Sequence, residues 1–270
     1  MTLPGGSGVL AGVRDRLEEI TSKAIEEAGQ ASEPEGEQPT GAMSDLLIRF
    51  VSAVVMVAAS ALALWLGGWF WIGFVVLLAG LILWEWNRLV KGFGGSPLSE
   101  IVWLFAGSAY VCAAALAMVQ VRQDNGMLEV LLVFILPIIA VDVGAYFAGR
   151  TIGGPKIAPK ISPSKTWAGL GGGAVAASIV ALTHELTGFG PAASAEFNVM
   201  GVLLAVVAGT LIAVIAQAGD FFESWMKRRA GVKDSSNLIP GHGGVFDRLD
   251  GFLAVFFVLF VVAVAPDLLG

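Results

Sequence analysis

Between residues 220 and 250 the chain gathers carboxylates, cations and glycines in a pattern suited to phosphate chemistry. The segment runs Asp220, Ser224, Lys227, Arg228, Lys233, then Pro240–Gly241–His242–Gly243–Gly244, then Asp247, Arg248 and Asp250. Glycine lets a backbone come close to a ligand. Consecutive N–H groups in such a turn form an anion-binding concavity. Asp247 and Asp250 lie three residues apart and share a face if helical. With Asp220 they offer hard oxygen donors, which suit Mg²⁺ rather than zinc. His242 has no second His or Cys near it in sequence, which argues against a zinc site. Cations that neutralise phosphates, beside carboxylates that hold a bridging metal, are the parts of phosphoryl chemistry. The same bases could instead hold anionic lipid headgroups.

A second group precedes it. Asp142 sits in an apolar run, and Arg150, Lys156, Lys160 and Lys165 follow, the last within Ser162–Pro163–Ser164–Lys165–Thr166. A carboxylate at the middle of a bilayer costs about 2.5–3.5 kcal/mol, so Asp142 and Asp220 are expected to face a polar cavity.

The elements that position these residues are membrane spans. Of 270 residues, 56% are hydrophobic and 14% charged. Mean hydropathy is +0.78. A soluble domain carries about 25% charged residues. Seven apolar segments, near 46–66, 69–87, 101–120, 128–149, 168–186, 199–219 and 251–268, each suit a hydrocarbon core of roughly 30 Å. Seven spans put every Lys and Arg except Arg122 on one side. The positive-inside rule makes that side, and the N-terminus, cytoplasmic. The expected architecture is therefore an all-α polytopic bundle over 44–270. Residues 1–43 are expected to form a polar, largely flexible cytoplasmic tail, since they show no apolar core of the kind a secretory signal needs. Cys112 is alone, so no internal disulfide forms.

Ser224 through Asp250 resembles the signature of the phosphatidate cytidylyltransferases, or CDP-diacylglycerol synthases, at every fixed position. Ser224, Lys227–Arg228, Lys233–Asp234, Ser236, Pro240, His242–Gly243–Gly244, Asp247–Arg248 and Asp250 carry it. Gly219–Asp220–Phe221–Phe222–Glu223 resembles the family's lead-in. Trp84–Glu85–Trp86 resembles a further element. Ser162–Pro163–Ser164–Lys165–Thr166 resembles another, with Ser164 in place of a Lys and Ala168 in place of a Glu.

The resemblance implies transfer of CMP from CTP to phosphatidic acid at the cytoplasmic face of the inner membrane. By it, Asp220 and Asp247 hold Mg²⁺ (a second cation is left open), and Asp250 and Lys227 join them as catalytic residues. Ser162, Lys165, Thr166, Ser224, Arg228, Lys233, His242, Gly243, Gly244 and Arg248 bind substrate. Expected partners are CTP, phosphatidic acid and membrane lipid, with no nucleic acid and a homodimer left open. A CTP-dependent enzyme or kinase acting on an ether lipid phosphate or a polyprenol is the rival. The Asp–Gly…Ala–Arg signature of CDP-alcohol phosphatidyltransferases is absent. A transporter would show inverted repeats and mid-membrane breaks, whereas the charges here gather at one face.

Overall fold

The computed structural model describes residues 40–187 and 198–269, together with Arg16, Glu19 and Lys23. The expectation for a flexible tail over 1–43 lies almost wholly outside the described residues. Helices run α1 (Thr40–Leu66), α2 (Gly68–Lys91), α3 (Pro97–Asp124), α4 (Met127–Thr151), α5 (Trp167–Thr187), α6 (Val199–Arg229) and α7 (Phe246–Leu269). Between α4 and α5 lies a hairpin of β1 (Lys156–Ala158) and β2 (Ser162–Thr166).

Each expected apolar segment falls on one of these helices. The first six are long and apolar enough to cross a membrane. The chain is thus an all-α polytopic membrane bundle. α7 opens with Asp247, Arg248 and Asp250 and is apolar only beyond them.

Sequential neighbours pack: α2 on α3, α4 on α5, α5 on α6 and α6 on α7, while α3 closes the arrangement against α7. Small residues make the closest seams, as lipid-embedded helices require. A Cβ on Gly144 would lie 2.5 Å from the Gly172 carbonyl oxygen. A Cβ on Gly219 would lie 2.6 Å from both the Ala254 Cβ and the Asp250 carbonyl oxygen. Within α4, residues Val130–Ile135 wind as a π-helix. Pro137 follows and has no N–H to donate to a preceding carbonyl, which is where such a bulge relieves a helix.

The core is aromatic where α2, α3, α6 and α7 meet. Trp86 is 2% exposed. Its ring lies 5.7 Å from Phe246, 5.8 Å from Phe222 and 6.1 Å from Tyr110. Its indole N–H donates to the Trp103 carbonyl at 2.9 Å. Gly107 is where α3 passes the indole, and any side chain there would strike it.

At the opposite end, Gly67 (φ +61°) makes the turn between α1 and α2. Arg122 donates there to the Leu64 carbonyl at 3.1 Å. The one base that sequence sets apart from the others therefore closes this turn.

Candidate active site

The segment from 220 to 250 is two helix ends and a short connection, not one long loop. α6 continues ten residues past the expected end of its span. The polar residues explain why: on a helix, positions four apart are neighbours. Ser224 Oγ donates to Asp220 Oδ1 at 3.4 Å, and Lys227 Nζ lies 2.7 Å from Glu223 Oε2. The charges that seem to end the span in sequence are thus paired along one helical face. α7 begins at Phe246, so Asp247 and Asp250 both stand on its first turns.

The connection is folded on a buried anion. Glu85 of α2 is fully buried. Its carboxylate accepts from Ser236 Oγ at 2.5 Å, Ser235 Oγ at 3.2 Å, Val245 N at 2.9 Å and Phe246 N at 2.6 Å. The last two donors are backbone N–H groups at the start of α7, where a negative charge is favoured.

Asp247 completes this frame. Its Oδ2 accepts from Ser235 Oγ at 2.7 Å, Gly244 N at 2.8 Å and Ser235 N at 2.9 Å, and its Oδ1 meets Lys227 Nζ at 2.6 Å. Burial alone would push this carboxyl up. The neighbouring Glu223, then hydrogen bonds from Lys227 and Ser235 with the Lys227 charge, reverse that and bring it to about 2. Gly244 fits only because it lacks a side chain, since a Cβ would collide with Ser235 Oγ and Glu85 Oε1.

The glycine turn is held at its edges. Ile239 N donates to the Gly243 carbonyl at 2.8 Å, and His242 N to the Ile239 carbonyl at 2.9 Å. Gly241 and Gly243 have φ of +75° and +83°. Arg248 donates from Nε and Nη2 to the His242 carbonyl at 3.0 and 2.8 Å. Ser52 of α1 donates to the Pro240 carbonyl at 2.9 Å. His242 Nδ1 is buried without a hydrogen-bond partner. A buried polar atom left in that state is costly unless something else satisfies it.

A second acidic group lies across α4, α6 and α7. Asp142, Asp220 and Asp250 are electrostatic neighbours, with Lys165 and Arg248 the nearby cations. Lys165 forms an ion pair with Asp220, and both side chains are about a quarter exposed. Burial first, then the charge of Asp220, pushes Asp250 up to about 7.

The β hairpin delivers Lys165 here. Of Ser162, Lys165 and Thr166, only Lys165 makes a described contact with α6. Thr166 commits its hydroxyl to Gly169 N at 3.0 Å, opening α5, and Ser162 is buried at the other end of β2. Arg228 reaches the hairpin instead, donating to the Ile161 carbonyl at 3.5 Å. Lys233 is exposed on the connection.

The expected metal pair is Asp220 and Asp247. Both Asp247 oxygens are taken by protein donors, so it sits with Lys227, while Asp220 sits with Asp142 and Asp250. Among the described residues, no three His, Cys, Asp or Glu are placed to hold a metal ion together. The donor chemistry at Asp220 nonetheless suits a hard cation. Asp142, Asp220 and Asp250 interact electrostatically, and the Lys165 ammonium pairs with Asp220 as a counter-ion would.

Two residues absent from the sequence-derived site are central to it. Glu85 and the 1%-exposed Glu223 both carry a signal: each is an acid beside a long apolar run, which demands a partner.

Residues 94–265 match the family model described as "Cytidylyltransferase family". The chain is 40% identical over 172 residues to the phosphatidate cytidylyltransferase of Brucella abortus biovar 1 (strain 9-941), covering 62% of this chain and 60% of that protein. It is 33% identical over 222 residues to the phosphatidate cytidylyltransferase of Rickettsia bellii (strain RML369-C), covering 81% of this chain and 91% of that protein. The enzyme of that name from Haemophilus influenzae is 38% identical over 190 residues, 66% of this chain and 61% of its own length. The chain thus spans about 60% of the length of the Brucella and Haemophilus relatives it matches.

Proposed function

Since the chain belongs to the cytidylyltransferase family, we propose that it transfers CMP from CTP to phosphatidic acid, giving CDP-diacylglycerol and pyrophosphate. The observation that carries this reading is the acidic group Asp142–Asp220–Asp250 with Lys165 among membrane helices, linked through Arg248 to a glycine turn with an unpartnered imidazole nitrogen. Such a place suits one substrate from the bilayer and one from water.

In the reaction a phosphatidate oxygen bonds to the α-phosphorus of CTP. The bond from that phosphorus to the β-bridging oxygen breaks, and pyrophosphate leaves. The nucleophile is already an anion, so no general base is required. Positioning and charge stabilisation carry the rate. Lys165, Lys233, Arg228 and Arg248 supply positive charge around the phosphates. His242, Gly243 and Gly244 shape the triphosphate side. Lys227, held between Glu223 and Asp247, fixes the frame beneath them.

Mg²⁺, when bound, would neutralise developing phosphate charge. Asp220 would hold it. Asp247 would join it as the expected second donor once Lys227 leaves its Oδ1, and Asp250 would support them. The reading places seven spans in the inner membrane, the seventh near 251–268, with the N-terminus and the active site on the cytoplasmic side. Fifteen-to-one segregation of Lys and Arg across those spans supports it.

The test is purified protein in detergent with labelled CTP, phosphatidic acid and Mg²⁺. CDP-diacylglycerol forms with wild type and not with Asp220→Ala. Absence of product with wild type sinks the reading.

A further inference from the structure

A diacyl lipid brings two chains to the site, and the structure has room beside it for one. A cavity of about 500 Å³ lies between α2, α3, α6 and α7. Its floor is the indole of Trp86, whose N–H is already bonded to Trp103. Its sides carry Tyr110 and Phe222. Ala106, Val214 and Ala218 also line it, and all three are exposed at the surface of the bundle, Val214 by 49%. The cavity is therefore reached from the face that lipid covers.

Its remaining wall is shared with the acidic group. Gly219 and Ala254 line it, Gly219 directly precedes Asp220, and a Cβ on Gly219 would touch the Asp250 carbonyl oxygen. Tyr110 is an electrostatic neighbour of Asp250. A chain lying in the cavity would thus leave its headgroup at the carboxylates.

Size selects the occupant. A methylene needs about the room of a water molecule in the liquid, roughly 30 Å³, so the cavity takes on the order of fifteen of them. That is one chain of ordinary membrane length.

We propose that this cavity seats one of the two acyl chains of the phosphatidate acceptor, while the other stays in the bilayer. The inference rests on the lipid acceptor proposed above. Committing one chain to a fixed slot aligns the phosphate with the Asp220 side of the site. It also makes the enzyme sensitive to the length of that chain.

The test uses full-length protein in mixed micelles with dipalmitoyl and dioctanoyl phosphatidate. Ala106→Trp and Ala218→Trp each replace room for several methylenes by an indole. The ratio of kcat/KM for dipalmitoyl over dioctanoyl phosphatidate should fall about tenfold or more in each, since every buried methylene lost is worth severalfold in binding. The ratio does not depend on how much of a variant is folded. A ratio unchanged from wild type overturns the proposal.

Independently, phosphatidate with a diazirine near one chain end should label wild-type peptides containing Trp86 or Tyr110 on irradiation. Labelling confined to the outer faces of α1 or α5 also overturns it. If wild type converts neither lipid, the acceptor reading falls instead, and the photolabel alone decides whether the cavity binds an acyl chain.

Discussion

Asp247 and Asp250 stand three residues apart on the same helix and live in opposite surroundings. Asp247 accepts three hydrogen bonds at one oxygen and an ammonium at the other. Asp250 accepts one bond, from its own neighbour Gly251, and shares its space with Asp220 and Asp142. One carboxylate is saturated and holds the frame. The other belongs to a group of three carboxyls that face Lys165 and Arg248. Acids gathered near a membrane interface mark a place where a cation or substrate acts. The difference separates the part of the signature that folds the site from the part that works in it.

The largest effect tests the working half. Asp220→Asn should lower kcat/KM about 10³-fold or more, the range seen when a group stabilising transition-state charge is lost. The thermal midpoint in detergent should barely move, because Asp220 is partly exposed and paired mainly with Lys165. Activity within tenfold of wild type would break the comparison.

The frame should respond the other way. Glu85→Ala removes the acceptor for four donors that stay buried. Unsatisfied buried groups cost about 1–3 kcal/mol each, so a loss of at least about 3 kcal/mol is expected. Thermal unfolding in detergent reads it, with Glu85→Gln falling in between because the amide keeps one acceptor oxygen. Equal midpoints for Glu85→Ala and wild type would show that the connection folds without this anion.

The division was only partly legible in sequence. All seven helices were, because long apolar runs leave few alternatives in a bilayer. Asp220 was also legible, as an acid where an apolar run ends, and so was its association with Asp250. The place of Asp142 beside them was not, since it depends on three helices meeting. The helical state of Ser224 to Arg228 was hidden because composition reads a cluster of charges as the end of a span. The pairings Asp220–Ser224 and Glu223–Lys227 appear only once a helix is assumed. Glu85 lies outside residues 94–265, and its donors stand 150 positions and more along the chain. No local pattern joins them. The hairpin at 156–166 was invisible for a simpler reason: β1 is three residues long.

Acid and base should pull the two carboxylates apart, measured without added metal. Asp247 is near 2 when folded, against an ordinary 3.8. The unfolded chain thus binds the proton first, and the stability Asp247 contributes is present above pH 4 and lost as pH falls toward 2. The shift corresponds to about 2 kcal/mol. Asp250 is near 7 when folded. There the folded protein binds the proton first, so stability is lost as pH rises from about 4 to 7. Asp247→Asn should therefore flatten the stability profile below pH 4, and Asp250→Asn should flatten it between 4 and 7. Unfolding midpoints across that range check both signs. Slopes of the same sign would erase the contrast.

The smallest effect lies between the two halves, at Ser224. It is a fixed position of the signature, yet its hydroxyl reaches Asp220 at 3.4 Å, the long limit for such a bond. Lys165 already engages the other Asp220 oxygen. If Ser224 only orients Asp220, Ser224→Ala should lower kcat/KM about two- to threefold, the worth of one weak hydrogen bond, and leave stability within about 0.5 kcal/mol. The loss should also vanish in Asp220→Asn, since the two residues would act through one contact. A hundredfold loss that persists in Asp220→Asn would instead put the Ser224 hydroxyl on a substrate phosphate, and move the boundary between frame and working group one turn further along α6.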